Sequence, residues 1–217
     1  MIDHMSCHSE SESNTPLTVE AFAQRTGVDR AVCDSLERYA DILKKWQKRF
    51  NLVGTSTVND LWSRHFLDSA QLASLISDDQ GAIVDMGSGA GFPGLVLSIM
   101  GINNIHLVES DASKTEFLRQ VIRETSASAT LHRTRIELYD GPKATIVTSR
   151  ACAPLSRLLD YAAGICAANA RLLFFKGRNW QAELTESQTA WHIDYQGHAS
   201  CTNPDGIILE INEFKRR

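Results

Sequence analysis

The chain contains no run of about 18 apolar residues, the length a helix needs to cross a bilayer. Its start, MIDHMSCHSESESNT, has neither a basic opening nor a hydrophobic stretch, so neither a signal peptide nor a membrane span is expected. Its five cysteines, Cys7, Cys33, Cys152, Cys166 and Cys201, are odd in number, scattered and without a C-x-x-C pair. That pattern argues against a disulfide framework or zinc site and for a reducing, cytoplasmic compartment. His4, Cys7 and His8 lie close together, but their Ser/Glu-rich surroundings read as a disordered tail, and no metal is expected. Positive charge is not in excess either. With 22 Lys and Arg against 26 Asp and Glu the net charge is −4, and nucleic-acid binding gains no support from overall basicity. Basic residues do cluster locally, in KKWQKR at 44–49, Arg119 with Arg123, Arg133 with Arg135, Arg150 with Arg157, and KRR at the end. No internal repeat or long linker interrupts the chain.

What is present suffices for one compact core: 217 residues, of which 43% are hydrophobic. Residues 1–16 read as the tail, closed by Thr15-Pro16. From Val32 the apolar positions Leu36, Tyr39, Leu43, Trp46 and Phe50 follow at spacings of four and three, which predicts one stripe on a long helix with Asp29 as N-cap. A second helix is expected from about Val58 to Ile76, so 17–79 form a helical segment packed on the rest. From 80 to 217 the pattern changes. Short β-branched runs at 82–86, 105–109, 129–133, 144–150 and 171–176 alternate with helical stretches at 93–100, 112–126 and 155–168. Strand, crossover helix and strand in repetition predict an α/β fold, a mainly parallel twisted sheet with helices on both faces. WHIDYQGH and GIILEI suit a terminal antiparallel pair. Ligands of such sheets bind where the strands' carboxyl ends meet the loops.

One of those ends stands out. IVDMGSGAGFPGLVLSI, residues 83–99, is an apolar strand, four glycines within eight residues, and a helix opening at Pro93. Gly87, Gly89, Gly91 and Gly94 allow tight turns and close approach of a ligand to backbone, and the first helical N–H groups are expected to face an anion. GAGFPG at 89–94 satisfies the dinucleotide pattern G-x-G-x-x-G, which alone is a weak signal. Glu109 ends the next strand where an acid suits ribose hydroxyls of a dinucleotide or of S-adenosylmethionine. Asp85, aimed into the loop, suits an ammonium and a nearby sulfonium and would repel pyrophosphate; the other reading is that it caps the loop.

The blocks KWQKRFNLVG (45–54), SRHFLDS (63–69), VDMGSGAGFPG (84–94), LVESDASKTEFLRQV (107–121), TSRACAPL (148–155) and LLFFKG (172–177) together resemble the RsmG/GidB family, in order over about residues 32–211. The resemblance implies a Rossmann-like, class I methyltransferase domain over 80–217. It also implies methyl transfer from S-adenosylmethionine to guanine N7 in 16S ribosomal RNA, with the RNA or the small subunit as partner, S-adenosylhomocysteine as product and no obligate protein partner. Carried onto matched positions, it makes Gly87 and Phe92 loop residues lining the cofactor, Glu109 the ribose acid, and Ile136 with Glu137 the flank of the adenine. Arg150 matches an arginine beside cofactor and target, and Lys114, Arg135 and Lys176 match basic positions expected to meet RNA. Leu138 departs from the family, replacing an acid often found after Glu137.

Guanine N7 is unprotonated at neutral pH and its lone pair lies in the ring plane, so it needs no general base; the enzyme's task is placement and electrostatic support. The chain lacks the Asp/Asn-Pro-Pro-aromatic motif that grips an exocyclic amine, and Cys152 lacks the setting of carbon-directed methyltransferases, so it reads as a packed residue. Arg150 is the expected catalytic residue, directed at guanine O6, a phosphate or the cofactor carboxylate; pointed at N7 it would compete with transfer. Its alternative is a structural bridge between strand and helix. His65 reads as packing or capping, Arg64 and Asp68 as an exposed pair, Trp46 as core, and Lys44, Lys45, Lys48 and Arg49 as residues able to meet RNA backbone. Two competing functions are an oxidoreductase that uses NAD through the G-x-G-x-x-G loop, and a non-catalytic RNA-binding adaptor.

Overall fold

The computed structural model describes residues 16–76, 81–150 and 152–217. His4, Cys7 and His8, and the expected tail up to Thr15, lie outside the described residues. α1 (Val19–Thr26), within the segment expected to be helical though not singled out there, opens on Thr18, whose hydroxyl accepts from Ala21 N–H at 3.2 Å. α2 (Arg30–Gln47) begins at the expected cap: Asp29 Oδ1 accepts from Val32 N–H at 2.9 Å. The expected long helix from Val58 to Ile76 is instead a string of short turns, 3₁₀ at Thr55–Asp60, π at Trp62–Leu67, α3 (Asp68–Ala70), and 3₁₀ at Gln71–Leu75. A tertiary bond accounts for part of the interruption. The carbonyl of Arg64, which a continuous α-helix would give to Asp68 N–H, accepts at 3.1 Å from Arg150, 86 residues away.

The remainder alternates as expected: β1 (Ala82–Met86), α4 (Gly94–Ile99), β2 (Ile105–Glu109), α5 (Ala112–Thr125), β3 (Thr130–Arg133), β4 (Ala144–Arg150), α6 (Leu155–Ile165), β5 (Cys166–Lys176), α7 (Trp180–Ser187), β6 (Trp191–Ala199) and β7 (Ile207–Arg216). β5 starts at Cys166, inside the stretch expected to be helical to 168, and α7 was not foreseen. The seven strands run in the order β3-β2-β1-β4-β5-β7-β6. All pairs through β5 are parallel, and β7 joins β5 and β6 antiparallel. Both faces of the central strands are buried, which explains why AIVDM and IHLVE read as continuous apolar runs.

Alternate residues divide between two cores. Ile83, Leu107 and Leu173 pack with Phe22, Leu36, Tyr39 and Leu43, so α1 and α2 share a core with the sheet. Val84, Val108 and Leu172 pack with Leu155, Leu159 and Leu184 on the opposite face. Trp46 ties α2 to α5 by donating its indole N–H to Gln120 Oε1 at 2.8 Å. No helix among the described residues is long and apolar enough to cross a membrane.

Candidate active site

The strand order reverses between β2-β1 and β4, and a cleft of about 1210 Å³ opens there at the carboxyl ends. Gly87, Gly89, Phe92, Glu109, Ile136, Glu137 and Arg150 all line it, so the fold brings together most of the residues singled out from the sequence. One wall comes from Leu52 to Thr57 with His65 and Asp68, another from Ser200 to Ile207.

The floor is the loop after β1. Gly87 has φ +65°, and a Cβ there would run into Cys152, so strand β4's extension packs against bare backbone. Glu109 fixes the loop from the side. Its Oε2 accepts from Gly89 N–H at 2.9 Å and its Oε1 from Asp111 N–H at 2.7 Å. Each oxygen keeps a second lone pair in the cleft wall. Gly91, expected in cofactor contact, is buried and does not line the cleft; at φ +90° its missing side chain makes room for the Tyr39 hydroxyl. That hydroxyl donates to the Ala90 carbonyl, and the Tyr39 ring lies stacked on Phe92 at 5.4 Å and 11°. Tyr39, read from the sequence only as part of an apolar stripe, is thus the prop beneath the loop.

Asp85 also differs from its expectation as a ligand for an ammonium. It is fully buried and does not line the cleft. Strand alternation sends it to the Ile83 side, beneath α4, where Oδ1 accepts from the Thr148 hydroxyl at 3.0 Å and Oδ2 from Gly94 N–H at 3.3 Å. The anion received by the start of α4 is therefore the protein's own carboxylate. Burial pushes its pKa up to about 6, while the bonds from Thr148, Ser88 and Gly94 pull the other way.

Arg150, at the end of β4, is held by three acceptors. Nη1 donates to Arg64 O at 3.1 Å and Asp68 Oδ2 at 3.1 Å, and Nη2 donates to His65 Nδ1 at 2.7 Å. The guanidinium lies 4.8 Å over the Phe92 ring. Desolvation, with Arg150 and Arg64 nearby, pushes the His65 pKa down to about 3, so the ring is neutral. Its proton sits on Nε2 and is donated to the Thr57 hydroxyl at 2.8 Å, which in turn donates to Gly54 O at 2.8 Å. His65 is more than packing, and Asp68 pairs with Arg150 rather than with Arg64. Two of the five guanidinium N–H groups, on Nε and Nη2, have no acceptor among the described residues, and Arg150 lines the cleft.

Lys114 and Arg135 stand at the cleft's edge, Arg135 exposed and Lys114 half-buried, without an ion pair among the described residues. Lys176, expected as an RNA contact, also lines the cleft. It is buried, its ammonium donating to Glu183 Oε2 at 2.8 Å and to Ala153 O at 3.2 Å, so its charge is neutralised inside the protein. Ile136 and Glu137 sit on a 3₁₀ turn after β3, while Leu138 is 71% exposed and lies outside the cleft.

Comparison with known proteins agrees with this geometry. The family model GidB, rRNA small subunit methyltransferase G, matches residues 32–206. The ribosomal RNA small subunit methyltransferase G of Rhodospirillum rubrum is 46% identical over 200 residues, covering 92% of this chain and 100% of that protein. Its namesake in Paramagnetospirillum magneticum is 48% identical over 197 residues, covering 91% and 96%. In fold the chain is similar to magnesium protoporphyrin IX methyltransferase from Synechocystis, solved with bound SAM, with TM-score 0.58, 14% identity, and 86% and 98% of the two chains covered. A TehB-like SAM-dependent methyltransferase from Corynebacterium glutamicum gives TM-score 0.55 at 11% identity, covering 82% and 99%. With its sheet order, its glycine loop and a family match spanning most of its length, the chain belongs to the GidB family, rRNA small subunit methyltransferase G.

Proposed function

We propose that the protein transfers a methyl group from S-adenosylmethionine to N7 of a guanine in 16S ribosomal RNA, working in the cytoplasm on the RNA or the small subunit. The observation that carries the reading is one cleft, at the reversal of strand order, shared by the loop Gly87–Phe92, Glu109 and Arg150.

The residues fit such a cofactor. Where Gly89 carries no side chain, backbone is open to a ligand, and the free lone pairs of Glu109 suit vicinal ribose hydroxyls. Ile136 offers an apolar edge and Glu137 an acceptor to the adenine. When bound, S-adenosylmethionine supplies an electrophilic methyl on a sulfonium centre. Everything else falls to the chain. Phe92 and the loop close one side of the cleft, and the Asp85–Thr148–Gly94 bonds hold that loop to β4 from beneath. Arg150 cannot swing, because Asp68, His65 and the Arg64 carbonyl fix its plane; its two remaining N–H groups meet guanine O6, a phosphate or the cofactor's carboxylate. Guanine N7 loses no proton on attack, and a neutral, fully engaged His65 is consistent with chemistry that asks for no base. Lys114 and Arg135 meet the RNA backbone at the mouth.

Incubation with radiolabelled S-adenosylmethionine and small ribosomal subunits tests this. Label is expected in RNase-sensitive material, at a guanine that becomes a site of aniline cleavage after borohydride reduction. Tight NADH binding without affinity for S-adenosylhomocysteine would favour the oxidoreductase instead, and cofactor-independent RNA binding without transfer would favour the adaptor.

A further inference from the structure

We propose that the end of α2 and the aromatic residue after it, Lys44, Lys45, Lys48, Arg49 and Phe50, form a second RNA-docking surface beside the cleft. It takes the phosphate backbone and one unpaired base of the strand flanking the target guanine. The inference rests on the reading of the cleft as an RNA methyltransferase site.

The four cations are exposed, and none of them forms an ion pair among the described residues. Several other surface arginines do form ion pairs, Arg30 with Asp34 and Glu37, Arg119 with Glu116, Arg178 with Asp205, and Arg216 with Asp160, while Arg135 at the cleft's edge has none among the described residues. Lys44 and Lys48 are like charges four apart at the end of α2, a spacing that costs a helix rather than supports it. The carboxyl end of α2 attracts cations through its dipole, which accounts for lysines in the last turn but not for the aromatic beyond it.

Phe50 is 40% exposed, and its position is fixed. Its N–H and that of Arg49 both donate to the Trp46 carbonyl, at 3.0 and 2.9 Å. Its ring rests on Trp46 at 5.4 Å, and Trp46 is in turn anchored to Gln120 and set edge-on against Phe117. An aromatic ring held rigid at the surface, interleaved with unpaired cations, matches the chemistry that binds single-stranded nucleic acid: cations track phosphates and the ring stacks a base.

The patch is continuous with the cleft. Gln47 donates from Nε2 to the Val53 carbonyl at 2.9 Å, and its Oε1 accepts from Leu52 N–H at 3.0 Å and Val53 N–H at 3.1 Å. Leu52, Val53 and Gly54 are cleft wall, so Asn51 alone separates Phe50 from the wall. An RNA strand with its guanine in the cleft therefore passes this surface.

Binding of a small-subunit rRNA fragment, followed by fluorescence anisotropy across a salt series, reads the patch directly, and methyl transfer reads its consequence. For Lys48→Gln/Arg49→Gln the slope of log K against log salt is expected to shrink by about 0.7–0.9 per lost contact. Phe50→Ala is expected to weaken binding roughly tenfold with the slope unchanged, because stacking carries no counterion release. In both, KM for RNA rises while kcat at saturating RNA and affinity for S-adenosylhomocysteine stay at wild-type values. Unchanged anisotropy curves for both variants would overturn the patch, even with wild-type transfer intact. Wild-type protein that transfers no methyl while showing these binding differences would overturn the functional reading and leave the patch standing.

Discussion

The loop after β1 and the string of turns at 55–75 face each other across Phe92, and they are built on opposite principles. The loop is shaped by its own backbone: four glycines, a proline, and a strand and helix that enter and leave it. Few side chains of the loop itself are needed; distant residues only prop it, Tyr39 from α2, Glu109 from β2 and Asp85 with Thr148 from below. The string of turns has no such local rule. Its course follows side-chain bonds to other parts of the chain, from Arg150 to Arg64 and His65, from Thr202 to Asp68 at 2.5 Å, and from Cys201 N–H to Gln71 Oε1 at 3.1 Å. The difference teaches that a ligand-holding surface can be encoded either in backbone chemistry, robust to its surroundings, or in a network that exists only once the fold has closed.

The largest effect expected of a single substitution follows from the first kind of encoding. Gly87→Val places a branched side chain at φ +65° and against Cys152, and isothermal titration is expected to find no binding of S-adenosylhomocysteine. Full affinity would sink the assignment of the loop as the cofactor cradle. The second kind is probed by Arg150→Ala, which removes the hub of the network. Methyl transfer is expected to fall on the order of a hundredfold. Stability should drop only by roughly 2 kcal/mol, since Asp68 keeps its bonds from Gln71 and Thr202. Wild-type turnover in this variant would remove Arg150 from the chemistry.

Asp85 tests whether the loop's underside is as self-sufficient as its geometry implies. Its folded pKa, about 6, lies above the ordinary 3.8, so the folded state holds a proton that the unfolded state has released over that window. The contribution is full below about pH 4 and is lost as pH rises through about 6. Relative to Asp85→Asn, the wild-type protein should therefore gain on the order of 3 kcal/mol as pH falls from 7 to 4, read from urea midpoints along the series. Parallel pH profiles for the two proteins would contradict the burial of a titrating carboxylate. The smallest effect expected is that of Tyr39→Phe, which keeps the stack on Phe92 and strands the buried Ala90 carbonyl. A loss of about 1–2 kcal/mol in stability is expected, with several-fold weaker cofactor binding measured well below the melting transition. Unchanged affinity would make Tyr39 a core residue and nothing more.

Legibility along the chain follows the same division. Strands β1 to β4, helix α2 with its Asp29 cap, helix α5 and the terminal antiparallel pair were readable because period, capping and turn chemistry are local. Glu109 and Arg150 were readable as residues of the cleft, since each sits at the carboxyl end of a strand that the pattern reveals. Asp85 was misread because nothing local says which side of a doubly buried strand faces the ligand. The pairing of Lys176 was not readable, because its partner Glu183 lies on α7, a helix with a weak pattern of its own. His65 and Asp68 carry ordinary helical spacing, and the one available signal was that both fall within a single turn, beside Arg64, in a block resembling the family.

By itself the sequence determined the alternation of strand and helix, the tight glycine turn, and the acid at the end of β2, because these arise from φ/ψ limits and periodicity within a few residues. Only the tertiary structure decided which carboxylates face the cleft and which neutralise the protein's own N–H groups. It also decided that Arg150 is locked by His65 and Asp68, and that Lys48 and Arg49 form no ion pair among the described residues. Those outcomes depend on distances across more than 80 residues of chain, and on desolvation that no residue acquires until its neighbours have packed around it.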